Sequence, residues 1–264
     1  MRSIIDIHII DLALGFLILI IPIFLFLYFR VGVVKDTVIS VARMIIQLML
    51  VAAYLEWIFD KNSAWINVLW VLIMIFVGVM TTIKRVNLSW RYFIFPFFIA
   101  GLTSVLIIDT FFLGFVIKLD YVFDARYFIP ITGMILGNSI NHNVVGLNSY
   151  FNGLFEKSEM YYFLLTNTGN EKLTLRPFIA NAIKLGMNPL IATMSVIGLI
   201  SLPGMMTGQI LGGSSPIIAI KYQIMIMLAI FAGCTINLVV SIIISNIFVF
   251  DAYGRFRESV LKQK

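Results

Sequence analysis

Apolar runs of about 20 residues, the length a helix needs to cross the hydrocarbon of a bilayer, recur along this chain and dictate its class. Seven are predicted: Ile10–Phe29, Val38–Phe59, Trp65–Ile83, Tyr92–Ile117, Phe128–Leu147, Pro189–Leu211 and Tyr222–Phe250. One soluble core has no room for them all. Apolar residues make up 61% and charged residues 12% of the 264, against about half and about a quarter in globular domains. The expected fold is an all-α integral membrane protein, a polytopic bundle of about seven transmembrane helices forming one domain over residues 1–264. The first run lacks a small-residue cleavage pattern and is read as a retained helix, not a signal peptide.

The charges fall between these runs, and they fall unevenly. Of the 19 Lys and Arg, only Arg2, Lys61, Lys118, Arg126 and Lys221 lie on one side of a seven-span arrangement. The other 14 lie in the opposite loops, helix ends and C-terminal tail. By the positive-inside rule this places the N-terminus outside and the C-terminus in the cytoplasm. The net charge of +6 is thereby explained by orientation in lipid, and no nucleic-acid partner is expected. The one long connection, 148–188, is cytoplasmic on this reading and too short for an enzymatic domain. Its mixed apolar and charged runs, Tyr161–Leu165 and Leu175–Lys184, predict one or two short amphipathic helices. These either rest on the headgroups or dock a cytoplasmic partner.

The sixth run carries the strongest backbone signal. Gly198-Leu-Ile-Ser-Leu-Pro203-Gly204-Met205-Met206-Thr-Gly208 sets a proline among three glycines where the chain is expected to be in the membrane. Proline cannot donate to the helix ladder, and its ring would oppose the carbonyl of Leu199. Gly204 would let the chain turn. Backbone groups freed in hydrocarbon need other partners, so an interruption there tends to line a cavity. Ser201, Pro203, Gly204, Met205 and Met206 are therefore expected to line or gate a substrate route, together with Gln47, Met134 and Asn138 from the second and fifth helices. The alternative is a kink that only shapes helix packing.

Other residues offer less. Arg43 is expected to anchor the second helix at the interface, with Gln47 one turn deeper and in need of partners. The fifth helix bears Met134 and Asn138, then Ser139, Asn141, His142 and Asn143. A single His without a second at helical spacing is more often hydrogen-bonded than metal-bound. The 13 methionines invite a soft-metal reading, although most serve as packing filler. Asp109 is the one carboxylate well inside a run, and it must be paired, neutral or near water. Cys234 stands alone, so neither a disulfide nor a thiolate metal site forms within one chain. No catalytic constellation is legible, and neither catalytic, cofactor-binding nor metal-site residues are assigned.

Three stretches carry a family resemblance: Val41-Ala-Arg43-Met-Ile-Ile-Gln47-Leu48, Pro130-Ile-Thr-Gly-Met134-Ile-Leu-Gly-Asn138, and Gly198–Gly208 continued by Ala219-Ile-Lys-Tyr-Gln-Ile-Met225. In order, they resemble the FetB-type family of ABC transporter permeases, which includes bacterial iron-export permeases and plant aluminium-tolerance relatives. The resemblance implies a homodimeric permease in the bacterial plasma or inner membrane that exports iron, another metal ion or a metal chelate. It also implies a separate ABC ATP-binding subunit that carries the ATP and Mg. In agreement, this chain has no GxxxxGK[ST] phosphate loop, so it is not itself expected to be an enzyme. Coupling to the ATPase is expected in the 148–188 connection at Glu159, Thr168, Gly169 and Arg176; Glu159, Gly169 and Ile179 loosely echo the pattern of ABC permeases there. Asn167-Thr168-Gly169 stands where a Leu-Gly-Ala is usual. Export of a small organic molecule or nucleotide sugar, and proton-coupled transport, remain open alternatives; a scaffold or membrane enzyme fits least well.

Overall fold

The computed structural model describes residues 8–251 and 253–257. Of the basic residues counted above, Arg2, Lys262 and Lys264 lie outside them. The described residues are helical almost throughout. A first crossing-length unit is α1 (Ile9–Gly15), a 3-10 turn (Phe16–Leu19) and α2 (Ile20–Tyr28). Then follow α3 (Val34–Lys61), α4 (Ala64–Val86) and α5 (Trp90–Asp109), the last running on into a π-helical turn, Thr110–Val116. The remainder is α6 (Ala125–Glu156), α7 (Ser158–Thr168), α8 (Glu171–Val196), α9 (Gly204–Leu211) and α10 (Pro216–Val249).

Five of these are long and apolar enough to cross a membrane: Ile10–Tyr28, Val34–Lys61, Ala64–Val86, Trp90–Val116 and Pro216–Val249. The two expected spans missing from that set fall on α6 and on α8 with α9. These are the two segments richest in Gly, Asn and Ser.

Local chemistry sets the boundaries. Asn62 and Asn87 end α3 and α4 in the left-handed conformation, at φ 37° and 57°. Asn tolerates that region because its short polar side chain bonds locally. The α3–α4 corner is also tied to the segment leading into α6: Asn62 Oδ1 accepts from the Ala125 amide at 2.9 Å, and Asn67 Nδ2 donates to the Phe123 carbonyl at 2.7 Å. Ser215 caps α10, with Pro216 at its first position, where the missing N–H costs nothing.

α10 runs through the middle, against α5, α6, α8 and α9. Glycines let the neighbours close on it. A methyl group on Gly146 or Gly186 would meet Leu238 Cδ2 at 2.7 or 2.9 Å, and one on Gly233 would meet Ile135 Cγ2 at 2.6 Å. Gly133 meets only the tip of Met74, and the space beside Gly137 is open. Polar bonds follow the same contact: Ser104 Oγ donates to the Gly233 carbonyl (2.8 Å), Asn143 Nδ2 to Asn237 Oδ1 (2.6 Å) and Tyr150 Oη to Asn246 Oδ1 (2.8 Å).

α1, α2 and most of α3 stand apart from this core. None of α1–α2 is buried among the residues described, and of α3 only Ile58 is. Such apolar faces need lipid or another protein surface.

The expected 148–188 connection is corrected. It is no loop: α6 continues to Glu156 and α8 starts at Glu171, so only α7 and two short corners connect them. Pro189 does not open a span either. It lies inside α8, as does Pro177, because neighbouring helices can satisfy the carbonyls a membrane proline frees. The start of α5 and the ends of α6 and α10 gather near α7, through Phe93 against Phe151 (5.0 Å), Phe95 against Phe248 (6.2 Å) and Tyr161 against Phe250 (5.5 Å).

Candidate substrate pathway

The break in the sixth run is a turn between two helices, not a kink. α8 ends at Val196, Ile197 is extended, and Gly198 adopts φ +88°. The Gly198 amide donates to the Ser201 carbonyl at 3.0 Å, and the Ile200 amide to Val196 at 3.0 Å. Pro203 is extended, at φ −61° and ψ 142°, and caps α9. Two expectations are thereby corrected. Pro203 terminates no helix and does not face the Leu199 carbonyl within one; it precedes a helix, with φ already suited to that place. Gly204 is the first residue of α9, and the left-handed turn is made by Gly198, where a side chain would be strained.

The turn is exposed from Gly198 to Leu202, with Leu199 89% and Ile200 82% exposed, and borders α10. Gly198 and Pro203 share a cavity with Gln223 and Met227 of α10, which lie roughly 10–17 Å along the helix from Pro216 at 1.5 Å per residue. α9 then packs alongside α10.

A cavity lies on each side of α9. The first, of about 420 Å3, is lined by Met194, Gly198, Pro203, Met206, Gln223 and Met227 among others. The second, of about 300 Å3, is lined by Arg126, Tyr127, Met205, Gln209 and Tyr222 among others. Each is bordered by a glutamine whose buried amide oxygen has no partner, Gln223 and Gln209 respectively. Buried polar atoms are nearly always satisfied, so each glutamine would gain a bond by turning its amide toward water or a bound group.

The predicted residues divide. Pro203 and Met206 line the larger cavity and Met205 the smaller. Ser201 and Gly204 are exposed and line neither. Met134 packs half-buried against the core, and Asn138 Nδ2 donates to its carbonyl at 2.8 Å within α6. Arg43 and Gln47 are exposed on α3, so the second helix is not brought to the break. His142 Nδ1 is 3.0 Å from the Gly186 carbonyl, a structural bond between α6 and α8. Sequence reasoning passed over Met194, Gln209, Gln223 and Met227. Gln223 was within a quoted motif, and its spacing of four from Met227 puts both on one helix face.

The expected coupling residues form a separate group. Glu159, Thr168, Gly169 and Arg176 are all exposed. Thr168 Oγ1 bonds the Leu164 carbonyl (2.8 Å) and Thr174 Oγ1 (2.9 Å), while Gly169 ends α7 at φ 59°. Asn170 then caps α8 through the amides of Lys172 and Leu173. This corner is held by Tyr161, which is 1% exposed and donates to the Gly254 carbonyl at 2.9 Å. Burial, with the Glu171 charge in second place, pushes the Tyr161 phenol up to about 12.

Asp109 is buried and bonded by the Thr132 hydroxyl, leaving its Oδ1 without a partner. It stands where α5 gives way to the π-helical turn, a kind of irregularity frequent at functional positions. Among the described residues, no three His, Cys, Asp or Glu side chains converge as a metal-binding group.

The comparisons agree on a family. The chain belongs to the Uncharacterised protein family (UPF0014), which matches residues 9–250. It is 30% identical to the UPF0014 membrane protein YjkA of Bacillus subtilis (strain 168), over 94% of this chain and 98% of that one. It is 28% identical to the probable iron export permease protein FetB of Escherichia coli (strain K12), over 88% of each. The protein ALUMINUM SENSITIVE 3 of Arabidopsis thaliana is 29% identical over 78% of this chain and 74% of that one. No solved structure matches. The family and the apolar helices make this a multi-pass membrane protein.

Proposed function

We propose, from membership of that family, that this chain is the membrane-spanning subunit of an ATP-driven exporter. Its cargo is iron, another metal ion or a metal chelate, and a separate ABC subunit binds and hydrolyses ATP with Mg. The observation that carries the reading is the helix break between α8 and α9, beside two cavities each bordered by a glutamine whose amide oxygen is unpartnered. An interrupted helix inside a membrane bundle serves transport better than it serves a scaffold, because freed backbone and polar side chains can replace a cargo's water. The name of the Escherichia coli relative supports metal export.

Seven crossings follow when α6 and the α8–α9 pair are added to the five long apolar helices. The basic residues support an N-terminus outside and a C-terminus in the cytoplasm: Lys84, Arg85, Arg91, Lys157, Lys172, Arg255 and Arg257 all lie near the end of the bundle that bears α7. The ATPase docks on that end, against the α7–α8 corner with Glu159, Thr168, Gly169 and Arg176. Two copies form the transporter, and the uncovered faces of α1–α3 meet the second copy and lipid.

Metal content of cells with and without the gene tests the export reading. Greater iron retention in the deletion strain, reversed by the intact gene, is the expected result. Crosslinks from a cysteine placed at Thr168 to the ATPase test the docking; contact made wholly through the C-terminal tail would refute it.

A further inference from the structure

The larger cavity is unusual in its donors. Met194 from α8, Met206 from α9 and Met227 from α10 line one space of about 420 Å3, and Gln223 adds a buried, unpartnered carbonyl oxygen. The three methionines come from three different elements, so they line one space only because the chain breaks at Gly198 and packs α9 against α10. No carboxylate, imidazole or thiol lines this cavity.

We propose that this cavity takes a soft monovalent cation of the copper(I) class, held by the sulfurs of Met194, Met206 and Met227 with Gln223 Oε1. Thioether sulfur selects soft cations, whereas iron(III) and other hard ions prefer carboxylate and water oxygen. Charge points the same way. All four donors are neutral, and the penalty for bringing an ion out of water into an apolar site rises with the square of its charge. A single positive charge is therefore tolerated where two or three are not. Methionine has three rotatable bonds and a polarisable sulfur, so the donors can turn toward an ion without backbone movement. One observation ties the site to the candidate route: it is lined by Gly198 and Pro203 of the turn.

This assignment rests on the export reading for its role, but binding can be measured without it. The full-length chain is purified in detergent and titrated with silver(I), a soft monovalent probe that does not change oxidation state under these conditions. Binding is read by equilibrium dialysis and metal analysis, and folding by size-exclusion profile. One silver ion per chain is expected. Met206→Leu conserves volume and should weaken binding by at least about tenfold, the lower range of losses seen even for outer-shell changes at metal sites. The Met194→Leu, Met206→Leu, Met227→Leu triple variant should abolish it, and Met160→Leu on exposed α7 should not alter it. No binding by the folded wild-type chain, or unchanged binding by the folded triple variant, would overturn the proposal. ATP-driven export of silver(I) by that triple variant at wild-type rate would also overturn it while leaving the export reading intact. Silver binding without any ATP-driven transport would uphold the site and refute the export reading.

Discussion

The Gly198 amide donates to the Ser201 carbonyl at 3.0 Å, and this one bond closes the turn that divides α8 from α9. Gly198 holds φ +88° to make it. An L side chain there costs about 1–2 kcal/mol, so Gly198→Ala should lower thermal stability and disturb both cavities. Pro203→Ala should be milder. Pro203 only caps α9, and its loss leaves the break in place instead of straightening the crossing. Thermal unfolding in detergent, compared between the two variants, checks the order.

Gly146 and Gly137 should part company on the same helix. A methyl at Gly146 would lie 2.7 Å from Leu238 Cδ2 and 3.1 Å from the Ala182 backbone oxygen, whereas Gly137 faces open space. Overpacking of this kind costs about 1–3 kcal/mol. Gly146→Ala should therefore lower the unfolding temperature, and Gly137→Ala should leave it nearly unchanged.

Much of this architecture is visible in the residues, and the failures have physical causes. The apolar runs locate α3, α4 and α5 with its π-helical turn to within a few residues, because bilayer thickness imposes their length, whereas α10 starts earlier than expected, at Pro216. Proline misleads in α8: Pro177 and Pro189 sit inside it, their lost bonds tolerated among packed helices. The break was legible from its glycines and proline, but which glycine takes positive φ depends on how α9 packs against α10. Met194, Gln223 and Met227 converge only in three dimensions. Gln47, read as deep and partner-seeking, is exposed because α3 packs on the core only near its far end, at Ile58.

Asp109 and Thr132 form a buried pair in which one carboxyl oxygen is bonded and the other is not. Thr132→Val would strip the remaining bond and leave the carboxyl wholly unpaired, costing about 1–3 kcal/mol. Asp109→Asn keeps an acceptor for the Thr132 hydroxyl and removes a buried acid, so it should be tolerated. A destabilised Thr132→Val beside a stable Asp109→Asn is the expected pattern in thermal unfolding.

Tyr161 should make the α7 clamp sensitive to alkali. Its phenol is raised from 10.0 to about 12 by burial. The neutral form is thus favoured in the fold: its stabilisation is complete below pH 10 and is lost as the pH rises toward 12. Tyr161→Phe removes the bond to the Gly254 carbonyl, at about 1 kcal/mol, and should abolish that pH dependence. Protease sensitivity of the α7 segment against pH, for both proteins, reads the effect.

The central claim is that this chain moves a metal species across the membrane at the expense of ATP hydrolysed by another protein. Inside-out vesicles holding the chain and its ABC subunit, supplied with silver(I) or iron, measure that directly. The account predicts metal accumulation that requires ATP and both subunits and fails when the cavity around Met206 is filled by Met206→Trp. Accumulation without ATP, or none with either metal when both subunits are assembled, would contradict it.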